Sequence, residues 1–143
     1  MTRRARLPAA ELQAASFDRM RTDHRTEVAE DYVELIADLI DAKGEARAVD
    51  LADRLGVSPA TVNTQVAKLA RAGLVETAPY RAIFLTDEGR ALADFAKARH
   101  RTVVDFLLAI GVDEATAQQD AEGIEHHVSD ATLEAMARFL ERR

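Results

Sequence analysis

One segment in the second half of the chain carries two carboxylates and an imidazole at the spacing of a helix face. Glu122, Glu125 and His126 occupy positions i, i+3 and i+4, which project to one side of a helix, whereas His127 points away from them. Carboxylates held this close repel each other unless a positive charge lies between them. The segment therefore predicts a metal site, and the competing interpretation is an ordinary polar helix face.

Two further groups of residues could complete such a site. Asp31 and Glu34 are also three positions apart, on a predicted helix whose other stripe is apolar, and His100 lies on a later helix. Taken alone, the two carboxylates are typical of a solvated helix face, and His100 is typical of a surface histidine. The sequence has no Cys, which excludes thiolate ligands. Oxygen and nitrogen donors then favour Mn²⁺ or Fe²⁺ over a structural zinc site.

The composition suits one globular domain, or two small ones that share a core, because 48% of the 143 residues are hydrophobic. No apolar run is long enough to cross a membrane and no secretory signal is evident, so we expect a cytoplasmic protein without a membrane partner. The net charge of −6 disfavours a uniformly basic DNA-binding protein. The charge is uneven, however: residues 31–44 carry −3 and residues 91–143 carry −4, whereas residues 45–90 are neutral.

Apolar periodicity, capping residues and glycines predict a mainly α protein with a small β-wing. Residues 1 to about 17 are expected to form a loose arm, either a solubilising tail or a basic segment that touches DNA. The predicted strands cover residues 74–77 and 82–85. The predicted helices cover approximately residues 17–43, 48–55, 59–72, 87–110, 113–122 and 130–142.

The neutral centre of the chain contains the spacing of a helix-turn-helix. Ala52 lets two helices approach, Gly56 makes the sharp turn, and Val62 holds the second helix against the first. The two strands that follow make this a winged version, whose second helix would enter the major groove. Thr, Asn and Gln can read base edges, while Ser and Lys suit phosphates. The predicted DNA-contacting residues are Ser58, Pro59, Thr61, Asn63, Thr64, Gln65, Lys68 and, at the wing tip, Arg81. A helix pair of this spacing without a DNA role is the alternative.

Together these motifs resemble the diphtheria-toxin-repressor-like family of metal-dependent repressors, from about residue 28 to residue 139. The most specific matches are Asp31-Tyr-Val-Glu34, Arg99-His100 and the run from Asp120 to Ser129. Iron-responsive members carry Met and Cys where this chain has Asp31 and Glu125, and oxygen ligands favour manganese. The resemblance implies two Mn²⁺ ions per subunit, held by Asp31, Glu34, His100, Glu122, Glu125 and His126.

The resemblance also implies a domain organisation and a mechanism. We expect a winged helix-turn-helix DNA-binding domain over residues 21–90 and a helical metal-binding and dimerisation domain over 91–143. The flexible N-terminal arm expected over residues 1–20 lies outside the resemblance. The expected protein is a homodimer, not an enzyme, that represses manganese uptake genes by binding double-stranded operator DNA when metal is bound. No small organic substrate is expected.

Two other classes of protein remain open at this point. One is a winged-helix regulator that responds to Fe²⁺ or to a small organic ligand. The other is a dinuclear metallohydrolase, which would need an open substrate pocket and a general base beyond the metal ligands, and the sequence offers no evident candidate for that base.

Overall fold

The computed structural model describes residues 5–77 and 81–142. Within these ranges the chain is mainly helical with one small antiparallel sheet, which confirms the predicted fold class. The elements are α1 (Ala10–Lys43), α2 (Ala48–Leu55), α3 (Pro59–Arg71), β1 (Val75–Glu76), β2 (Phe84–Leu85), α4 (Asp87–Ala109), α5 (Glu114–Ile124) and α6 (Asp130–Glu141).

Local signals set most helix boundaries. The side chains of Ser58, Thr86, Asp113 and Ser129 each accept a hydrogen bond from the backbone N–H three residues later, which satisfies a donor that the helix leaves unpaired. Gly56 ends α2 in the left-handed region, with φ of 68°. Glycine adopts this conformation without steric cost, so the chain can reverse sharply into α3.

α1 begins earlier than the sequence indicates. The sequence predicts a loose arm to about residue 17, but the helix starts at Ala10, so residues 10–20 are helical. The segment after Pro8 is rich in Ala, Glu, Leu and Gln, which have high helix propensity. All residues from 10 to 22 are exposed, so this extension rests mainly on propensity and on continuity with the buried part of α1.

The first core unites α1 with the helix-turn-helix and the wing. Ile36, Leu51 and Val62 are completely buried there, and Ala52 is nearly so, as the predicted helix-turn-helix packing requires. The wing strands pair Val75 with Leu85 and Glu76 with Phe84, and they are shorter than predicted. The connection predicted over residues 78–81 falls mostly outside the described residues.

A second core forms among α4, α5 and α6, around Val103, Val104, Ala117 and Ala121. α1 joins the two halves, because Val33 and Ala37 on α1 pack against Ala93 on α4. The acidic segments of α1 and of the turn after α5 therefore meet beside α4. None of the described helices is both long enough and apolar enough to cross a membrane.

Candidate metal centre

The structure brings predicted ligands from three separate segments to the junction of the two halves. α1 supplies Asp31, α4 supplies His100, and α5 with its following turn supplies Glu122, Glu125 and His126. Nε2 of His126 lies 3.5 Å from Oδ1 of Asp31, and Nδ1 of His100 lies 3.7 Å from Oε1 of Glu122. These distances join residues that are far apart in sequence, which the helix-face argument alone could not establish.

Glu125 lies between the two histidines. Its Oε1 is 3.3 Å from Nε2 of His126, and its Oε2 is 2.5 Å from Nδ1 of His100. The side chain is only 1% exposed, so its charge is poorly hydrated and depends on these neighbours. One carboxylate with an oxygen directed to each histidine can bridge two adjacent cations.

The donor atoms form two groups around this carboxylate. In the first group, donor atoms of Glu27, Asp31 and His126 lie within 4.8 Å of one another. In the second, donor atoms of His100, Glu122 and Glu125 do so. Glu27 lies one helical turn before Asp31 and was not among the residues predicted from the sequence. Its i, i+4 spacing to Asp31 is the signal that could have indicated it.

Glu34, the remaining predicted ligand, lies in an electrostatically unfavourable position. Burial, together with the negative charges of Glu125, Asp31 and Glu122, raises its pKa from 4.5 to about 7. Among the described residues, its Oε1 is buried without a hydrogen-bond partner. A divalent cation among these carboxylates would remove both penalties, so the donor set fits such an ion.

The positive charge of His126 partly offsets the negative charge of the surrounding carboxylates. Burial by itself would lower the pKa of this imidazole, but hydrogen bonds to Asp31, Glu125 and Glu30 outweigh it and raise the pKa to about 11. The ring is therefore cationic at neutral pH and sits among carboxylates. A metal ion that binds Nε2 must displace a proton from it.

A buried ion pair that the sequence did not reveal lies behind His126. Arg99 on α4 pairs with Glu30 on α1, and Oε2 of Glu30 lies 3.1 Å from Nδ1 of His126. Burial raises the pKa of Glu30, but hydrogen bonds from His126 and Arg99 outweigh it and hold that pKa below its ordinary value. The available signal was position, since Glu30 shares the α4-facing stripe of Val33 and Ala37.

His127 is not one of the predicted ligands, and its ring lies against α1 beside the first donor group. Its Nδ1 is 3.7 Å from Oδ2 of Asp23, and its Nε2 is 3.8 Å from Oε2 of Glu27. The carbonyl of His127 accepts a hydrogen bond from Arg19 at 3.5 Å. The extended part of α1 therefore contacts the turn that carries Glu125 and His126.

An open cleft of roughly 430 Å³ borders the His100 side of the centre. It is lined by three of the predicted ligands and by charged residues of α1 and α4. The cleft gives solvent access to this half of the centre, whereas Glu125 and His126 are buried.

The predicted DNA-contacting residues lie mostly on the exposed face of α3 and its N-terminal cap. Ser58, Pro59, Thr61, Asn63, Thr64 and Lys68 are exposed, Gln65 is half-buried, and Arg81 is exposed next to β2. The hydroxyl of Thr64 donates to the carbonyl of Ala60, and Ser58 caps the helix. Their hydroxyls therefore already have partners within the helix, whereas Asn63 and Lys68 project from it.

A winged helix-turn-helix linked through its first helix to a carboxylate–histidine centre on a helical domain defines a metal-dependent transcription regulator. Residues 24–83 match the family of the iron dependent repressor N-terminal DNA binding domain, and residues 86–143 match its metal binding and dimerisation domain. The chain belongs to this iron-dependent repressor family, and it is a DNA-binding, metal-binding regulator rather than an enzyme. The predicted resemblance is thereby confirmed.

Similar proteins and structures carry names of the same kind. The transcriptional regulator MntR of Escherichia coli O157:H7 is 47% identical over 99% of this chain and 97% of its own length. MntR of Salmonella typhimurium is 49% identical over 88% of this chain and 80% of its own. A manganese-dependent transcriptional repressor in complex with manganese superposes with a TM-score of 0.71, at 33% identity over 79% of this chain. The manganese regulator SloR superposes with a TM-score of 0.69, at 28% identity over 80% of this chain. The chain spans about half the length of these two solved structures, 52% and 54% respectively.

Proposed function

We propose that this protein is a manganese-activated repressor of manganese uptake genes. The proposal rests on the buried carboxylate of Glu125, which lies between two histidines, and on Glu34, whose Oε1 has no hydrogen-bond partner in the part of the chain that the structure describes. These donors are oxygen and nitrogen atoms, the set that suits Mn²⁺ better than softer metals. The names of the similar MntR proteins and of the manganese-bound repressor support the choice of metal.

We further propose two Mn²⁺ ions per subunit. Asp31 and His126 would hold one ion, His100 and Glu122 the other, and Glu125 would bridge them, with Glu34 completing the set. When bound, the ions supply positive charge that offsets the carboxylates and links α1 to the turn after α5. The ligand residues then hold their side chains in one arrangement instead of repelling one another.

α1 also packs into the core of the DNA-binding domain. The position of α1 relative to α4 and α5 therefore sets the position of α3 relative to those two helices. In a homodimer the two α3 helices must match successive major grooves of a palindromic operator. Bound metal that favours this arrangement raises the affinity of the protein for DNA. By thermodynamic linkage, bound DNA raises the affinity of the protein for the metal by the same factor. Asn63 and Lys68 would contact bases and phosphates, respectively, together with the neighbouring residues of the exposed α3 face.

The test is operator binding by the full-length protein, titrated separately with Mn²⁺, Fe²⁺ and Zn²⁺ and repeated in chelator. We expect affinity to rise with Mn²⁺, and we expect Glu34→Gln to lose most of that rise. Asp94→Asn, an exposed carboxylate change on α4, is the matched control and should behave like the parent protein. Equal affinity in chelator and in Mn²⁺ would contradict the proposal. Activation by Fe²⁺ alone, or by neither metal, would favour the iron-responsive or small-ligand alternative.

A further inference from the structure

Each of the two candidate histidine ligands has a hydrogen-bond partner on the side of the ring that faces away from the other donors. For His100, Nδ1 faces Glu125, and Nε2 lies 3.0 Å from Oε1 of Gln118. For His126, Nε2 faces Asp31 and Glu125, and Nδ1 lies 3.1 Å from Oε2 of Glu30. The two rings therefore present opposite nitrogens to the centre.

A neutral imidazole has one N–H and one lone pair, and only the nitrogen with the lone pair can bind a metal. An acceptor placed at one nitrogen keeps the proton there and leaves the other nitrogen available as a ligand. Both Glu30 and Gln118 present an acceptor oxygen at the required place. Glu30 is charged and Gln118 is neutral, so the two rings are polarised to different degrees.

We propose that Gln118 and Glu30 are positioning residues, which fix Nδ1 of His100 and Nε2 of His126 as the metal-binding nitrogens. This inference rests on the proposed metal function of the same centre. Neither residue needs to contact the ion, because each acts through the histidine that it orients.

The two positioning residues are held in different ways. Arg99 holds Glu30 through a buried pair, with Nη1 of Arg99 3.4 Å from Oε1 of Glu30. Nη2 of Arg99 also lies 3.2 Å from Nδ1 of His126, and because a guanidinium only donates, it competes with Glu30 at this nitrogen. The assignment of the Nδ1 proton therefore depends on the acceptor oxygen of Glu30, which lies 3.1 Å away. Gln118 is exposed on α5, at the rim of the cleft. His126 is thus oriented by the packing between α1 and α4, whereas His100 is oriented by one surface amide. Gln118 can be replaced without opening the core.

The decisive experiment compares Gln118→Leu with Gln119→Leu, the adjacent exposed glutamine on the same helix. Protein labelled with ¹⁵N-histidine is loaded with ¹¹³Cd²⁺ as a diamagnetic probe, and the ¹¹³Cd–¹⁵N coupling identifies the bound nitrogen of each ring. In the parent protein and in Gln119→Leu, we expect coupling to Nδ1 of His100 and to Nε2 of His126. In Gln118→Leu, the His100 coupling should be lost or divided between the two nitrogens, with affinity for that ion about tenfold to a hundredfold weaker. Gln118→Glu restores the acceptor and should restore the coupling to Nδ1.

Glu30 needs a second design, because removing it alone leaves the charge of Arg99 buried and unpaired. The double variant Glu30→Leu/Arg99→Met removes both charges, and circular dichroism first establishes that it is folded. In the folded variant, the coupling of His126 should no longer be confined to Nε2. Parent-like coupling in Gln118→Leu, or in the folded double variant, would overturn the assignment for that residue.

The coupling measurements on the variants and the operator-binding test of the proposed function can be interpreted separately. If Mn²⁺ activates operator binding by the parent protein but the couplings do not change in the variants, the positioning role is wrong and the proposed function stands. If the couplings change as expected but Mn²⁺ leaves operator binding unaltered, the positioning role stands and the proposed function is wrong.

Discussion

Replacing Glu34 by glutamine should stabilise the metal-free protein while removing its response to metal. In the folded chain, burial and three neighbouring carboxylates raise the pKa of Glu34 from 4.5 to about 7. An unfolded chain ionises this group near its ordinary pKa, so the folded state loses stability as the pH rises from about 4.5 to 7. Above pH 7 the penalty is complete. The shift corresponds to about 3 kcal/mol at roughly 1.4 kcal/mol per pKa unit, and because Glu34 is only half-buried and solvent screens its charge, we expect about half of this, ~1.5 kcal/mol.

The glutamine side chain has nearly the same shape and carries no charge, so Glu34→Gln should recover much of this penalty at pH 8. For a chain of this size, about 1.5 kcal/mol corresponds to a rise in Tm of roughly 5 °C. The assay is thermal unfolding followed by circular dichroism in chelator, at fixed protein concentration, from pH 5 to pH 8. At pH 5 the parent and the variant should differ much less than at pH 8, because Glu34 is protonated in the folded parent and this pH lies only just above its ordinary pKa of 4.5 in the unfolded chain.

The same measurement in Mn²⁺ should reverse the order. The parent protein should gain stability from the bound metal, whereas Glu34→Gln should gain much less because it lacks one carboxylate ligand. Asp94→Asn should follow the parent protein in both buffers. A variant that is no more stable than the parent at pH 8 in chelator would show that the carboxylate carries no electrostatic penalty in the folded state.

Three further predictions follow from the geometry. The pKa of His126 is raised to about 11, so Mn²⁺ must displace the proton of this ring. The affinity of the protein for Mn²⁺, measured by titration calorimetry, should therefore rise about tenfold per pH unit between pH 7 and pH 9. An affinity that does not change with pH would contradict this. Glu125→Cys introduces a thiolate between the two histidines and should broaden activation of operator binding towards Zn²⁺ and Fe²⁺; an unchanged metal profile would show that Glu125 does not set selectivity. Asn63→Ala, on the exposed face of α3, should weaken operator binding by about 1 to 3 kcal/mol without changing Mn²⁺ affinity; equal operator affinity would show that the DNA-reading face lies elsewhere.

The fold was largely predictable because its boundaries depend on local chemistry. Ser58, Thr86 and Ser129 cap helices where the sequence indicates helix starts, and Gly56 makes the turn that the helix-turn-helix requires. The start of α1 was misplaced for the opposite reason. Charged and apolar residues are mixed in the segment before residue 22, so periodicity gave no signal there, although high propensity extends the helix to Ala10.

The centre was predictable in its ligand types but not in its supporting contacts. The i, i+3 and i+4 spacings of Asp31, Glu34 and the segment from residue 122 to residue 126 place donors on helix faces before any tertiary structure is known. Gln118 and Glu30 have no such signature, because each acts on a histidine contributed by another element. Their roles depend on how α1, α4 and α5 pack, which the spacing of residues within one helix cannot specify.

The buried pair of Glu30 and Arg99 indicates which part of the structure the proposed metal binding would change. α1 and α4 are joined by this pair and by the packing of Val33 and Ala37 against Ala93, contacts that involve no metal ligand. These contacts do not compensate the electrostatic repulsion between Glu34 and the neighbouring carboxylates, which lie at the edge of the interface between α1 and α4. We therefore expect metal to narrow the range of orientations that α1 adopts beside the turn after α5, and not to fold a disordered domain. Hydrogen exchange should then show metal-dependent protection confined to α1 and to residues around 122–127, with the α2–α3 core unchanged; protection spread evenly over the chain would indicate that metal instead drives global folding.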